Sequence, residues 1–266
     1  MGGCVVSELW VYPVKSCRGI ALEHAAVGPR GIRWDRHWMV VDPAGRFLTQ
    51  RQLPAMALIG TALAPDALWL DAPERLPLRV PYDACGERTP VRVWGDELRA
   101  CTVSEDADRW LSAALGSPCR LVRFPDDAPR AVDSQYGRPG DETAFSDGFP
   151  LLLIGQGSLD DLNARLARPL PMRRFRPNVV VRGAPPYAED DWRQVRIGGL
   201  GCRVVKPCSR CAITTVDPEH GVRDGNEPLE TLAGYRRRDG RVYFGQNVIP
   251  DGTASLQIGD AVEVLA

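Results

Sequence analysis

The sequence predicts a mostly β fold with α+β elements, and three observations carry that expectation. Short stretches rich in β-branched and aromatic residues recur at close intervals along the chain, as in a barrel or sandwich. The 23 prolines and 26 glycines are scattered, so that turns separate these stretches. Helical spacing with end signals is confined to residues 104–116, 158–166 and 228–233.

Residues 4–14 alternate in polarity and read as a first strand that ends at Pro13. The loop 15–19, Lys-Ser-Cys-Arg-Gly, offers an ammonium, a hydroxyl and free N–H groups to an anion; the plainer alternative is a solvated turn. Residues 34–41 read as a strand with a charged start. There Arg36, flanked by Trp34 and Trp38, can stack and still present a planar fork to phosphate. A surface pair with Asp35, worth little, is the competing reading. Asp42-Pro43-Ala44-Gly45-Arg46 is a hairpin turn, with strands following at 47–49, 57–63, 67–70, 78–80 and 91–93. Ser104 caps a helix that has acids in its first turn and Gly116 at its end, and 119–124 is again a strand.

Residues 126–141, rich in Asp, Arg, Pro and Gly, form a long loop and the expected boundary between modules at 1–123 and 124–266. A buried strand at 151–154 precedes an amphipathic helix capped by Ser158, with Leu159, Leu162 and Leu166 as core. The strand 179–181 is entered through Arg173, Arg174 and Arg176, any of which can pair with Asp190 in the acidic turn 187–192. Residues 228–233 read as a short helix and 235–241 as a basic turn. The strand 242–247 contains Gly245, where backbone can approach a ligand closely, and 258–265 is a turn and closing strand.

A chain of 266 residues allows one large domain or two modest ones. A net charge of −1 argues against a general nucleic-acid or anionic-membrane binder. The eight cysteines are irregularly placed, and a reducing compartment is the simpler reading. No apolar run approaches the ~20 residues of a membrane-spanning helix. The start Met1-Gly2-Gly3-Cys4-Val5-Val6 leads into no signal-peptide core, and Val6 stands where a myristoylation motif wants Ser or Thr. The expected location is cytoplasmic.

The chemistry concentrates in residues 204–218. Val204 and Val205 read as a buried strand, Pro207 stops its pairing, and Cys208 to Cys211 then fall on a loop beside Arg210, where positive charge favours a thiolate. Ile213 to Val216, β-branched throughout, reads as the next strand. Cys-x-x-Cys alone admits half a zinc site, a redox pair, two buried thiols, or one thiolate as the single protein ligand to a cofactor-bound metal.

Lys206-Pro207-Cys208-Ser209-Arg210-Cys211-Ala212-Ile213-Thr214-Thr215-Val216-Asp217-Pro218 resembles the cysteine segment of the MOSC family of molybdenum-cofactor domains, which includes the mitochondrial amidoxime-reducing component and its bacterial relatives. Trp10-Val11-Tyr12-Pro13-Val14-Lys15-Ser16-Cys17, Asp35-Arg36-His37-Trp38, Phe175-Arg176-Pro177-Asn178, Tyr187-Ala188-Glu189-Asp190 and Phe244-Gly245-Gln246 are similar to further family landmarks, in family order. The resemblance implies an N-terminal β-barrel-like module packed on a C-terminal MOSC β-barrel. It implies a molybdenum cofactor held between them, with Cys211 as metal ligand. Lys15, Ser16, Arg36, Arg176, Asn178, Ser209, Arg210 and Asn247 become cofactor-binding residues, with Gly148 and Phe149 contributing main-chain contacts. Asp217 is a candidate proton relay or, before Pro218, a turn former.

The implied activity is reduction of small N-hydroxylated compounds: amidoximes, hydroxylamines and N-hydroxylated bases. Some bacterial relatives carry a plant-type ferredoxin domain; this chain stops at Ala266 without its Cys-x4-Cys-x2-Cys run. The electron donor is therefore expected to be a separate ferredoxin, cytochrome b5-like protein or flavoprotein reductase. Two alternatives remain open: a sulfur carrier holding a persulfide on Cys211, and a non-catalytic cofactor-binding module.

Overall fold

The computed structural model describes residues 3–266; Met1 and Gly2, part of the segment weighed for a lipid anchor, lie outside them. Seven strands close into a barrel: β1 (Cys4–Val11), β2 (Leu151–Gly155), β3 (Val179–Arg182), β4 (Gln194–Ile197), β5 (Leu200–Ser209), β6 (Arg241–Pro250) and β7 (Ala261–Val264). Their order is β2-β3-β1-β7-β4-β5-β6, and β6 pairs back on β2. Every pair is antiparallel except β2–β3, which is parallel and joined through the helix Gln156–Arg165. The all-apolar run of β2 serves two cores by strand alternation. Leu151 and Leu153 face the barrel interior, while Leu152 and Ile154 face an outer layer with Leu159, Leu162, Phe175 and Phe244.

Residues 38–123 build most of the second module. A four-stranded sheet (Trp38–Val41, Arg120–Arg123, Asp96–Thr102, Arg88–Val93) and a three-stranded one (Gly60–Leu63, Ala67–Asp71, Leu78–Pro81) pack with the helix Glu105–Leu115. Ser104 caps that helix, accepting from the Ala107 N–H at 3.2 Å, and Gly116 ends it in the left-handed conformation. Strand pairing crosses the 123/124 division at two places: β1 lies in the barrel between β3 and β7, and His24–Gly28 pairs with Ala254–Gln257.

Several local expectations are corrected. Pro207 does not stop its strand. β5 runs on to Ser209, because register irregularities at Val204/Lys206 and Pro207/Ser209 absorb the missing N–H. Residues 212–215 are a 3-10 turn rather than a strand. The Thr214 and Thr215 hydroxyls donate to the carbonyls of Cys211 and Ala212 (3.1 and 2.8 Å), turning the backbone despite its β-branched composition. Ser158 caps nothing: it lies inside its helix and donates to the buried Glu189 carboxylate at 2.7 Å. Asp190 pairs with Arg236 at 2.6 Å, not with the arginines before β3. Cys85 and Cys101 form a disulfide, which the reading of a reducing compartment does not account for. Among the described residues no helix is long and apolar enough to cross a membrane.

Gly245 holds φ +79 on β6, and its close approach is to the neighbouring barrel strand. An added Cβ would fall 2.6 Å from Ile154 Cγ1 and 2.9 Å from the Leu153 carbonyl. Gly245→Ala is expected to lower unfolding stability by about 2 kcal/mol or more, read in a urea titration, because both conformation and space oppose it.

His37, 9% exposed and edge-on to Trp34, has a pKa pushed down to about 4 by burial and by the nearby Arg123, against an opposing pull from Asp126. The unfolded chain therefore takes up this proton first as pH falls. Stability should drop between pH ~6.5 and ~4 and level off below, by about 3 kcal/mol at most. His37→Gln should flatten that part of the stability–pH profile; an unchanged profile would show that His37 does not titrate this way.

Candidate functional site

A cleft opens between the module and one end of the barrel. The loop after β1 supplies Lys15 and Ser16. The turn before Trp38 supplies Arg36. The entries to β2 and β3 supply Gly148, Phe149, Arg176 and Asn178. The end of β5 supplies Ser209, Arg210 and Cys211, and β6 supplies Asn247. Every sequence-predicted site residue thus meets here except Asp217. That carboxylate bonds His220 at 2.9 Å and lines a neighbouring recess with Arg173, Arg174 and Glu219.

Tyr12 organises the cationic side. Its ring is buried, and the guanidinium carbons of Arg36 and Arg176 lie 4.4 and 4.2 Å from its centroid. Arg36 donates to Asp35 at 2.6 Å and Asn178 Oδ1 at 3.2 Å, and Asp35 also accepts from the Tyr12 N–H. Asp35 is therefore buried and Arg36 half-buried, so this is not a surface pair. Arg36 also stacks on Tyr12 rather than between tryptophans, because its φ of +47 turns it out of the strand. Arg176 donates to the Cys17 carbonyl at 2.7 Å, while its Nη2 is buried without a partner. Burial, then the adjacent Arg36, push the Arg176 pKa down to about 10. Burial also presses the Lys15 ammonium below its ordinary range, against the pull of Asp147 at 2.5 Å. Ser16, Arg36 and Arg176 all hold positive φ (68, 47 and 57°), a costly conformation that clusters at functional sites.

Asn178 accepts from Arg36 and the Leu152 N–H and donates one amide N–H to the Trp10 carbonyl at 3.2 Å, so it ties the strand entries together while lining the cleft. Arg210 Nη1 lies 3.0 Å from Cys208 Sγ and Nη2 donates to the Phe175 carbonyl; its Nε has no partner. Cys211 is half-buried, and the guanidinium near its sulfur is Arg51, at 3.9 Å. Sequence reasoning missed Arg51, and no motif or periodicity marks it. Asp147, just before β2, accepts from Lys15 and Trp94. Among the described residues no three metal-ligating side chains converge, and two free thiols, Cys208 and Cys211, line the cleft.

Two family models match the chain: the MOSC N-terminal beta barrel domain over residues 3–118 and the MOSC domain over residues 140–263. The mitochondrial amidoxime-reducing component 1 of Mus musculus is 38% identical, covering 98% of this chain and 82% of that one. Its Homo sapiens counterpart is 37% identical with the same coverage. Among solved structures, the YuaD protein from Bacillus subtilis is a loose match, with TM-score 0.45 and 12% identity over 98% of this chain and 94% of that one.

Arg176→Met removes one of two like charges from a shared buried ring. In cofactor-free protein the variant should unfold at equal or higher denaturant, by up to about 1 kcal/mol, because an imperfectly compensated buried charge gives way to an apolar side chain of similar length. A loss of stability would mean that Arg176 holds the fold rather than a ligand.

Proposed function

The chain belongs to the MOSC-domain family, in the group that joins an N-terminal MOSC β-barrel module to the MOSC domain, and on that footing we propose that it is a molybdenum-cofactor-dependent oxidoreductase of small N-hydroxylated compounds. The observation that carries this reading is the pair of guanidiniums stacked on buried Tyr12 in the same cleft as the half-buried thiol of Cys211. A pterin cofactor with a dithiolene and a phosphate fits that donor set. Unpartnered nitrogens on Arg176 and Arg210, with Lys15 and Arg36, meet an anion, and one thiol completes a metal that brings its other sulfur ligands with it.

When bound, the group supplies two-electron redox chemistry at the metal. The net reaction takes two electrons and two protons, breaks the N–O bond and releases water. The chain's own residues bind and orient. Cys211 would hold the metal through its sulfur. Lys15, Ser16, Arg36, Arg176, Ser209, Arg210 and Asn247 face the pterin and phosphate, while the main chain at Gly148 and Phe149 walls the cleft. Asn178 fixes Arg36 and the entry to β3. Asp217 lies in the neighbouring recess, whereas Asp147 is the carboxylate that lines the cleft, its Oδ1 accepting from Lys15 and Trp94. Electrons come from a separate protein of the ferredoxin, cytochrome b5-like or flavoprotein class.

Protein produced in a cofactor-competent host should carry close to one molybdenum per chain and convert benzamidoxime to benzamidine with a chemical or protein reductant. Cys211→Ser should retain the fold and lose both metal and activity, with metal content read by elemental analysis. Wild-type protein free of molybdenum and pterin, or a Cys211→Ser variant as metal-rich as wild type, would count against the proposal.

A further inference from the structure

The two-residue turn Trp94-Gly95 joins the strands Arg88–Val93 and Asp96–Thr102. Such turns favour glycine at the first position when its φ is positive. Here that position is Trp94, at φ +54, and the glycine comes second. A bulky side chain in this conformation is strained, and strain of this kind clusters at functional sites. The core does not need it: the residue is 48% exposed.

The indole is nonetheless fixed. Its N–H donates to the Asp147 carboxylate at 3.0 Å, the Arg51 guanidinium lies 4.3 Å from its ring centroid, and the Phe47 ring lies 5.2 Å away. The same Arg51 reaches to 3.9 Å from Cys211 Sγ, and Asp147 lines the cleft. One guanidinium therefore spans the gap between an exposed aromatic face and the thiol.

We infer that Trp94 and Arg51 form a stacking subsite at the cleft mouth that selects planar, conjugated N-hydroxylated compounds, such as aryl amidoximes and N-hydroxylated heteroaromatic bases, over small aliphatic ones. This rests on the proposed reaction. The indole offers a flat ring a face at low entropic cost. The guanidinium, a donor without an acceptor, suits the N–O oxygen and directs it toward Cys211.

The test is equilibrium binding by calorimetry to oxidised, molybdenum-loaded protein without electron donor, using benzamidoxime and acetamidoxime as probes. Trp94→Gly places glycine where the turn favours it, so its melting temperature should equal or exceed that of wild type, which keeps a folding failure apart from a binding loss. The preference for benzamidoxime over acetamidoxime should fall roughly 3- to 10-fold in Trp94→Gly and be largely restored in Trp94→Phe, with a parallel change in the ratio of kcat/KM values. A preference unchanged by Trp94→Gly in protein that binds and reduces both probes would overturn the subsite and leave the proposed reaction standing. Loaded protein that neither binds nor reduces either probe would overturn both.

Discussion

Two guanidiniums share one buried phenol ring, and much of the site follows from that contact. Arg36 and Arg176 come from parts of the chain 140 residues apart, yet both lie within 4.4 Å of the Tyr12 centroid. Like charges this close, in a poorly hydrated place, repel unless something negative lies between or beside them. Asp35 meets part of that need from below; the open side faces the cleft. The arrangement is stable only because β1, the turn before Trp38 and the entry to β3 are fixed to one another. Asn178 ties them, bonding Trp10, Leu152 and Arg36 at once.

The barrel explains how those pieces stay in place. β1 is threaded between β3 and β7, so the segment leading into the N-terminal module is also a stave of the C-terminal barrel. Lys15 and Ser16 follow directly from its end. On the far side of the cleft, two irregularities in the β5–β6 register carry the chain past Pro207 and deliver Cys208 to Cys211 at the rim. A 3-10 turn, closed by Thr214 and Thr215, then bends the backbone away from Cys211. The thiol is thus exposed by a strand end on one side and a tight turn on the other.

Much of this was legible in the residues themselves. Alternation and turn residues marked the strands, the Ser104 and Gly116 signals marked a helix with both caps in place, and the family resemblance named about half of the residues that line the cleft. The failures have physical causes. The Ile213–Val216 run looked like a strand because β-branched propensity cannot register two hydroxyls that close on the backbone behind them. Pro207 looked like a stop because a bulge is a property of two paired strands. Asp217 is near Cys211 in sequence, but the 3-10 turn carries it around the corner toward His220. Arg51 and Trp94 have no sequence signature at all: their importance lies in a contact with residues 160 and 53 positions away.

The central claim is that Cys211 holds a metal whose organic, anionic carrier rests against the Tyr12-stacked arginines. A crystal structure of the loaded protein, with anomalous scattering collected across the molybdenum edge, addresses it directly. One strong peak is expected within bonding distance of the Cys211 sulfur, with density for a pterin phosphate contacting Arg36, Arg176 or both. A metal peak elsewhere, or a pterin bound with Cys211 unliganded, would contradict it.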